Sequence, residues 1–194
     1  AITEIYMTDL CFEPDAEQQC ETCVEFALEL DHHGPEVCQT LANLRLTQCR
    51  NEEASIAMKE AVRRLKKAEP LPDITFRINM AKIMIECGQY ENSLFLDSVE
   101  VLNSCLAEDD ENTEVWFLAG VALFKMDPPD LEGAQEYLEN AMKLFQKLKE
   151  NLGKEFPFDE QVSLVQQQLN IIKDEFTKQN GGNVEEKTET NMEC

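Results

Sequence analysis

The side chains best suited to metal binding, thiol chemistry or proton transfer are eight cysteines and two adjacent histidines, His32 and His33. Cys20 and Cys23 stand at the spacing of half a zinc site, with Cys11, Cys38 and both histidines nearby in the chain. A second cysteine pair at ligand spacing is missing. Cys20 also falls on the small-residue stripe of a helical pattern, so it reads as a packed, buried thiol. As a redox pair the motif lacks the surrounding βαβ pattern. His32-His33 lies between two helical stretches and reads as a solvated loop, which leaves general acid–base catalysis few candidates. Carboxylates are plentiful, but none is set apart from the surface. No glycine-rich phosphate loop, nucleophile elbow or His-Glu metal helix occurs. The sequence therefore offers no catalytic residue, no metal site and no cofactor, and it points to a non-enzymatic protein.

Charge points to a different chemistry. Asp and Glu total 39 against 17 Lys and Arg, a formal net charge of −22. Such a surface repels phosphate backbones, which disfavours direct contact with nucleic acid or anionic membranes. It attracts cationic partners and speeds their encounter. Acidity that serves solubility alone is the plainer reading. The densest run, Glu108-Asp109-Asp110-Glu111, is either a solvated loop ahead of a helix N-terminus or part of a negative rim. The longest apolar run, Val115 to Phe124, is too short to cross a bilayer. No basic, apolar leader opens the sequence, so the cysteines are expected as reduced thiols in a cytoplasmic or nuclear protein.

The elements that must position these groups are helices. Hydrophobic residues make up 43%, with only 7 Gly and 7 Pro, and apolar positions recur every three or four residues. The expected helices are Thr3 to Phe12, Glu17 to Leu30, Glu36 to Arg50, Ala54 to Ala68, Thr75 to Cys87, Glu91 to Leu106, Glu114 to Lys125, Leu131 to Leu152 and Glu160 to Lys178. Gly34-Pro35, Leu71-Pro72-Asp73 and Asp127-Pro128-Pro129-Asp130 read as connectors, and Gly88 as a stop. Gly181-Gly182 opens what reads as a disordered acidic tail over 179–194.

The helices pair, and the pairs repeat. Trp116-Phe117-Leu118-Ala119-Gly120 matches the start of a tetratricopeptide unit, with Trp116 as the bulky residue and Gly120 at the close approach. Ala134, Leu138 and Ala141 then supply the second helix. Met80-Ala81 and Leu41-Ala42 fall at the same phase. Ala42, Ala81 and Gly120 are evenly spaced, at intervals longer than the usual unit of about 34 residues. A plainer helix bundle is the competing architecture. The expected fold is an all-α, tetratricopeptide-type α-solenoid of antiparallel helix pairs over residues 1–178, about four pairs plus a C-terminal capping helix.

In such a solenoid the first helix of each pair lines the inner, concave face. By phase, the partner-binding positions are Tyr6, Asp9, Glu36, Gln39, Asn43, Asn79, Glu86, Glu114, Phe117 and Val121, with Thr47, Lys82 and Leu118 beside them. Acids outnumber the single Lys, and Phe117 offers an aromatic face to a cationic ligand. Asn43 and Asn79 fall at the two asparagine positions of the clamp by which tetratricopeptide co-chaperones hold heat-shock chaperone C-termini. That clamp's cationic positions carry Gln39, Glu114 and Leu118 here, which would repel or fail to hold a carboxylate.

Three stretches resemble a known family. They are Tyr6-Met7-Thr8-Asp9-Leu10-Cys11 with Glu13-Pro14-Asp15-Ala16-Glu17, then Gln39-Thr40-Leu41-Ala42 with Leu44-Arg45-Leu46, and Leu106 to Glu111 leading into Glu114-Val115-Trp116-Phe117. Over about residues 5 to 150 the chain resembles the eukaryotic assembly chaperones of large-subunit ribosomal protein L-four. The resemblance implies a tetratricopeptide protein of cytoplasm and nucleus, and with no coiled-coil pattern in the sequence a monomer is expected. Its concave face would capture the extended basic loop of the new ribosomal protein and keep it soluble for ribosome assembly. A general scaffold or heat-shock co-chaperone is the alternative.

Overall fold

A computed structural model describes residues 2–189, with side chains described up to 178. Among the described residues there is no strand. The helices are α1 (Ile2–Met7), α2 (Ala16–Leu30), α3 (Glu36–Thr47), α4 (Asn51–Leu65), α5 (Ile74–Cys87), α6 (Ser93–Leu106), α7 (Thr113–Lys125), α8 (Leu131–Leu152) and α9 (Asp159–Glu189), with a 3₁₀ turn at Gly153–Glu155. The all-α repeat architecture expected from periodicity is thus present. Side-chain caps start several helices. Asp73 accepts from the Phe76 N–H at 3.0 Å, Asn112 from Val115 at 3.3 Å and Asp130 from Gly133 at 2.9 Å, each meeting one orphan donor of a first turn.

The chain forms two compact units, dividing after Cys105. In the first, α1/α2, α3/α4 and α5/α6 are successive pairs. The α5/α6 pair is antiparallel: the Arg77 guanidinium near the start of α5 donates to Ser104 Oγ near the end of α6 at 2.8 Å, while a Cβ on Gly88 would lie 2.6 Å from the Phe95 ring. Ala54, Met58, Ala61, Met80, Met84, Leu94 and Val101 share one core drawn from α4, α5 and α6. A smaller cluster of Cys20, Val24 and Leu44 ties α2 to α3. In the second unit, α7 and α8 are antiparallel and α9 packs on both. A Cβ on Gly120 would stand 2.7 Å from Leu138 Cγ and 3.1 Å from the Ala134 carbonyl. The backbones meet where the repeat phase puts the close approach.

Several boundaries differ from the expected ones. The first helix ends at Met7 rather than Phe12. Thr8 turns both its N–H and its hydroxyl onto the Glu4 carbonyl, Leu10 N–H bonds back to Ile5, and Phe12 is 94% exposed. Helix α3 ends at Thr47 rather than Arg50. Cys49 adopts a left-handed φ of 57°, Arg50 N–H reaches the Arg45 carbonyl and Cys49 N–H the Leu46 carbonyl. That is the Schellman closure, with cysteine in the place usually held by glycine. Helix α4 stops at Leu65 because Pro70 and Pro72 follow, and tight i+3 bonds at Lys67 and Ala68 close the turn. Helix α9 continues past Lys178 to Glu189. The tail expected over 179–194 falls beyond the described side chains, and its last residues, 190–194, lie outside the described residues altogether.

Cys20 is buried, and its thiol points at the Thr3 carbonyl at 3.7 Å. Burial pushes its pKa up, and pushes Cys87 to about 11, so both thiols stay protonated and inert. Among the described residues no group of three or more His, Cys, Asp and Glu comes together as a metal site. No helix among them is long and apolar enough to cross a membrane.

Candidate functional site

The odd-numbered helices carry the candidate positions, and within each unit they touch one another. Helix α1 packs on α3, and α3 on α5, in the first unit; α7 packs on α9 in the second. Glu36, Gln39 and Asn43 recur at three- and four-residue steps along one face of α3. Helix α5 carries Asn79 and Glu86, both exposed. Asp9 lies in the turn after α1, and Tyr6 is half-buried against the Cys20, Val24 and Leu44 cluster. Gln39 Oε1 is enclosed and lacks a hydrogen-bond donor.

Electrostatics separates these positions from the rest of the first unit. Six of its cations are paired away from them. Arg45 and Arg50 hold Glu21 and Glu53. Lys59 on α4 reaches Glu91 at 2.9 Å, and Lys66 reaches Asp97 at 2.8 Å and Glu100 at 3.1 Å on α6. Glu60 accepts from both Arg63 and Arg64, and these guanidiniums hold its pKa down at about 2. Arg64 also donates to the carbonyls of Asp31 and Gly34, pinning the connector into α3. Asp9, Glu36 and Glu86, by contrast, have no ion-pair partner among the described residues. Their charge stays available to an outside cation.

In the second unit, Glu114 and Phe117 come together on a groove of about 350 Å³ lined also by Thr113, Phe145, Phe158, Gln161, Leu164 and Val165. Val121, one turn further along α7, is not among its walls. Phe145, Phe156 and Phe158 form a mutually braced set, with ring centroids 5.7 to 6.5 Å apart. The acidic run just before α7 is fixed in place. The Trp116 indole N–H donates to the Asp110 carbonyl at 2.8 Å, its ring lies 5.3 Å from that of Tyr137, and Lys147 pairs with Glu111.

No family model matches the chain. It is similar to a "Probable assembly chaperone of rpl4" of Schizosaccharomyces pombe, 33% identical over 62% of this chain and 36% of that protein. It is likewise similar to a "Probable assembly chaperone of rpl4" of Emericella nidulans, 34% identical over 61% of this chain and 31% of that protein. The similarity to these assembly chaperones covers about three fifths of the chain. The chain spans about a third of the length of these curated relatives. A solved structure titled "Assembly Chaperone of RpL4 (Acl4)" superposes with a TM-score of 0.57 at 35% identity, over 63% of this chain and 43% of that one. Similarity in sequence and similarity in fold thus point to the same kind of protein.

The sequence reading names the α3 and α5 acids as candidates and sets Glu114 and Phe117 one helical turn apart on α7. It did not find Phe145, Phe158 or Leu164. The one signal available was the repeated aromatic in Phe156-Pro157-Phe158, too many bonds from Phe117 to be joined by periodicity.

Proposed function

We propose that this chain is a dedicated, non-catalytic chaperone for a newly made, basic large-subunit ribosomal protein of the L4 type. It receives the protein's extended cationic segment on the odd-helix face and holds it soluble, in cytoplasm and nucleus, until ribosome assembly. The observation that carries this reading is the pairing of similarity to the rpl4 assembly chaperones with a face on which three acids, Asp9, Glu36 and Glu86, have no ion-pair partner among the described residues. A free ribosomal protein binds stray RNA through its Lys and Arg; a protein carrying −22 charges offers a competing, reversible counter-surface. The same charge favours a monomer, since two such bodies repel one another.

The test is titration of purified L4-type protein into the full chain at low and at physiological salt. Affinity falls steeply with salt, and Glu36→Lys with Glu86→Lys weakens binding by about tenfold or more. Unchanged binding by the double charge reversal, at either salt, removes the proposal.

A further inference from the structure

The aromatic groove of the second unit is left unfilled by the described side chains, although it is walled by Phe117, Phe145, Phe158, Leu164 and Val165. Leu164, on the exposed edge, is 52% accessible. The rings behind it brace one another, so the concavity is preformed. Glu114 is the only ionisable side chain among its lining residues. A cavity of about 350 Å³ takes one large apolar side chain together with the backbone that bears it.

We infer that this groove is a specificity pocket for a single aromatic or branched aliphatic residue of the client segment, whose flanking Lys and Arg residues are drawn in by the chain's net negative charge. The inference rests on the proposed function and adds to it the identity of the anchor. Charge selects this occupant over two others. A second copy of a chain bearing −22 charges is repelled. The chain's own C-terminal segment carries Glu185, Glu186, Glu189 and Glu193 against one Lys187, the same sign as the body that would have to receive it. A cationic peptide with an apolar anchor satisfies both features. Charge speeds the encounter, and burial of the anchor lengthens residence and discriminates among basic proteins.

Calorimetry with the full chain separates the pocket from the charge. The probes are a short Lys/Arg peptide with one central Trp and its twin with Ser in place of the Trp. The Trp peptide binds about tenfold tighter than its twin. Leu164→Asp removes that difference while both peptides keep salt-sensitive binding. Leu96→Asp, an equally exposed leucine on α6, leaves the difference intact. Unchanged helical circular dichroism certifies the variants, and Leu164→Gln replaces the charged change if Asp unfolds the chain. Equal binding of the twins to the native chain overturns the pocket and leaves the charge-based reading standing. Failure of both peptides to bind at low salt overturns both. A dimer seen by light scattering and lost in Leu164→Asp assigns the groove to a second copy and overturns the anchor.

Discussion

Cys49 closes α3 in a left-handed conformation that costs a residue with a Cβ about 1 kcal/mol. Cys49→Gly therefore raises stability by about 1 kcal/mol, read as a shift in the urea midpoint. The reverse holds at Gly120. A side chain there meets Leu138 and the Ala134 carbonyl below ordinary contact distance, so Gly120→Val lowers stability by about 1–3 kcal/mol. Gly120 was legible in the sequence because it completes a motif with Trp116. The stop at Cys49 was not, because a helix end is usually announced by Gly or Asn, and here hydrogen bonds from Cys49 and Arg50 hold the turn without either. Arg77 is a similar case. It is 1% exposed, donates to the Pro72 carbonyl at 3.0 Å and to Ser104, and nothing in its neighbours marks it as interior.

At the level of helices, most boundaries were readable because apolar residues at three- and four-residue spacing and well-placed prolines fix them. What joins one helix to another was not readable. Lys59 and Glu91, or Lys66 and Asp97, lie about thirty positions apart, and only the stacking of α4 on its neighbours brings them within reach. The Glu60 cluster gives this level a pH signature. Its folded pKa of about 2 lies below the ordinary 4.5 because Arg63, then Arg64, favours the carboxylate. A depressed acid stabilises the fold above its unfolded pKa, and the contribution is lost as pH falls from about 4.5 towards 2. In Glu60→Gln, the acid limb of the stability curve between those values becomes shallower than in the native chain. An unchanged limb would place the acid sensitivity in other carboxylates.

For the molecule as a whole, one excess of charge does two jobs, and salt separates them. Screening relieves self-repulsion among 39 acids and 17 bases, so added sodium chloride raises the melting temperature. The same screening weakens capture of a basic client. Opposite slopes of melting temperature and affinity against salt are expected; parallel slopes would show that the acids do not form the binding surface. The acidity was legible from composition, and the odd-helix acids from repeat phase. The apolar groove was hidden because Phe117, Phe145, Phe158 and Leu164 come from α7, α8, the connector and α9, and no local pattern links them.

Trp116 is the only tryptophan, and it is tethered through its indole to the backbone of the acidic run and set against Tyr137. Its emission is therefore an intrinsic optical gauge of that loop. A guest that draws Glu108–Glu111 away from α7 wets the indole and shifts its emission to the red, with no dye attached. One fluorimeter trace, collected with a tryptophan-free guest, would then time the arrival of cargo at the loop separately from its arrival elsewhere on the chain.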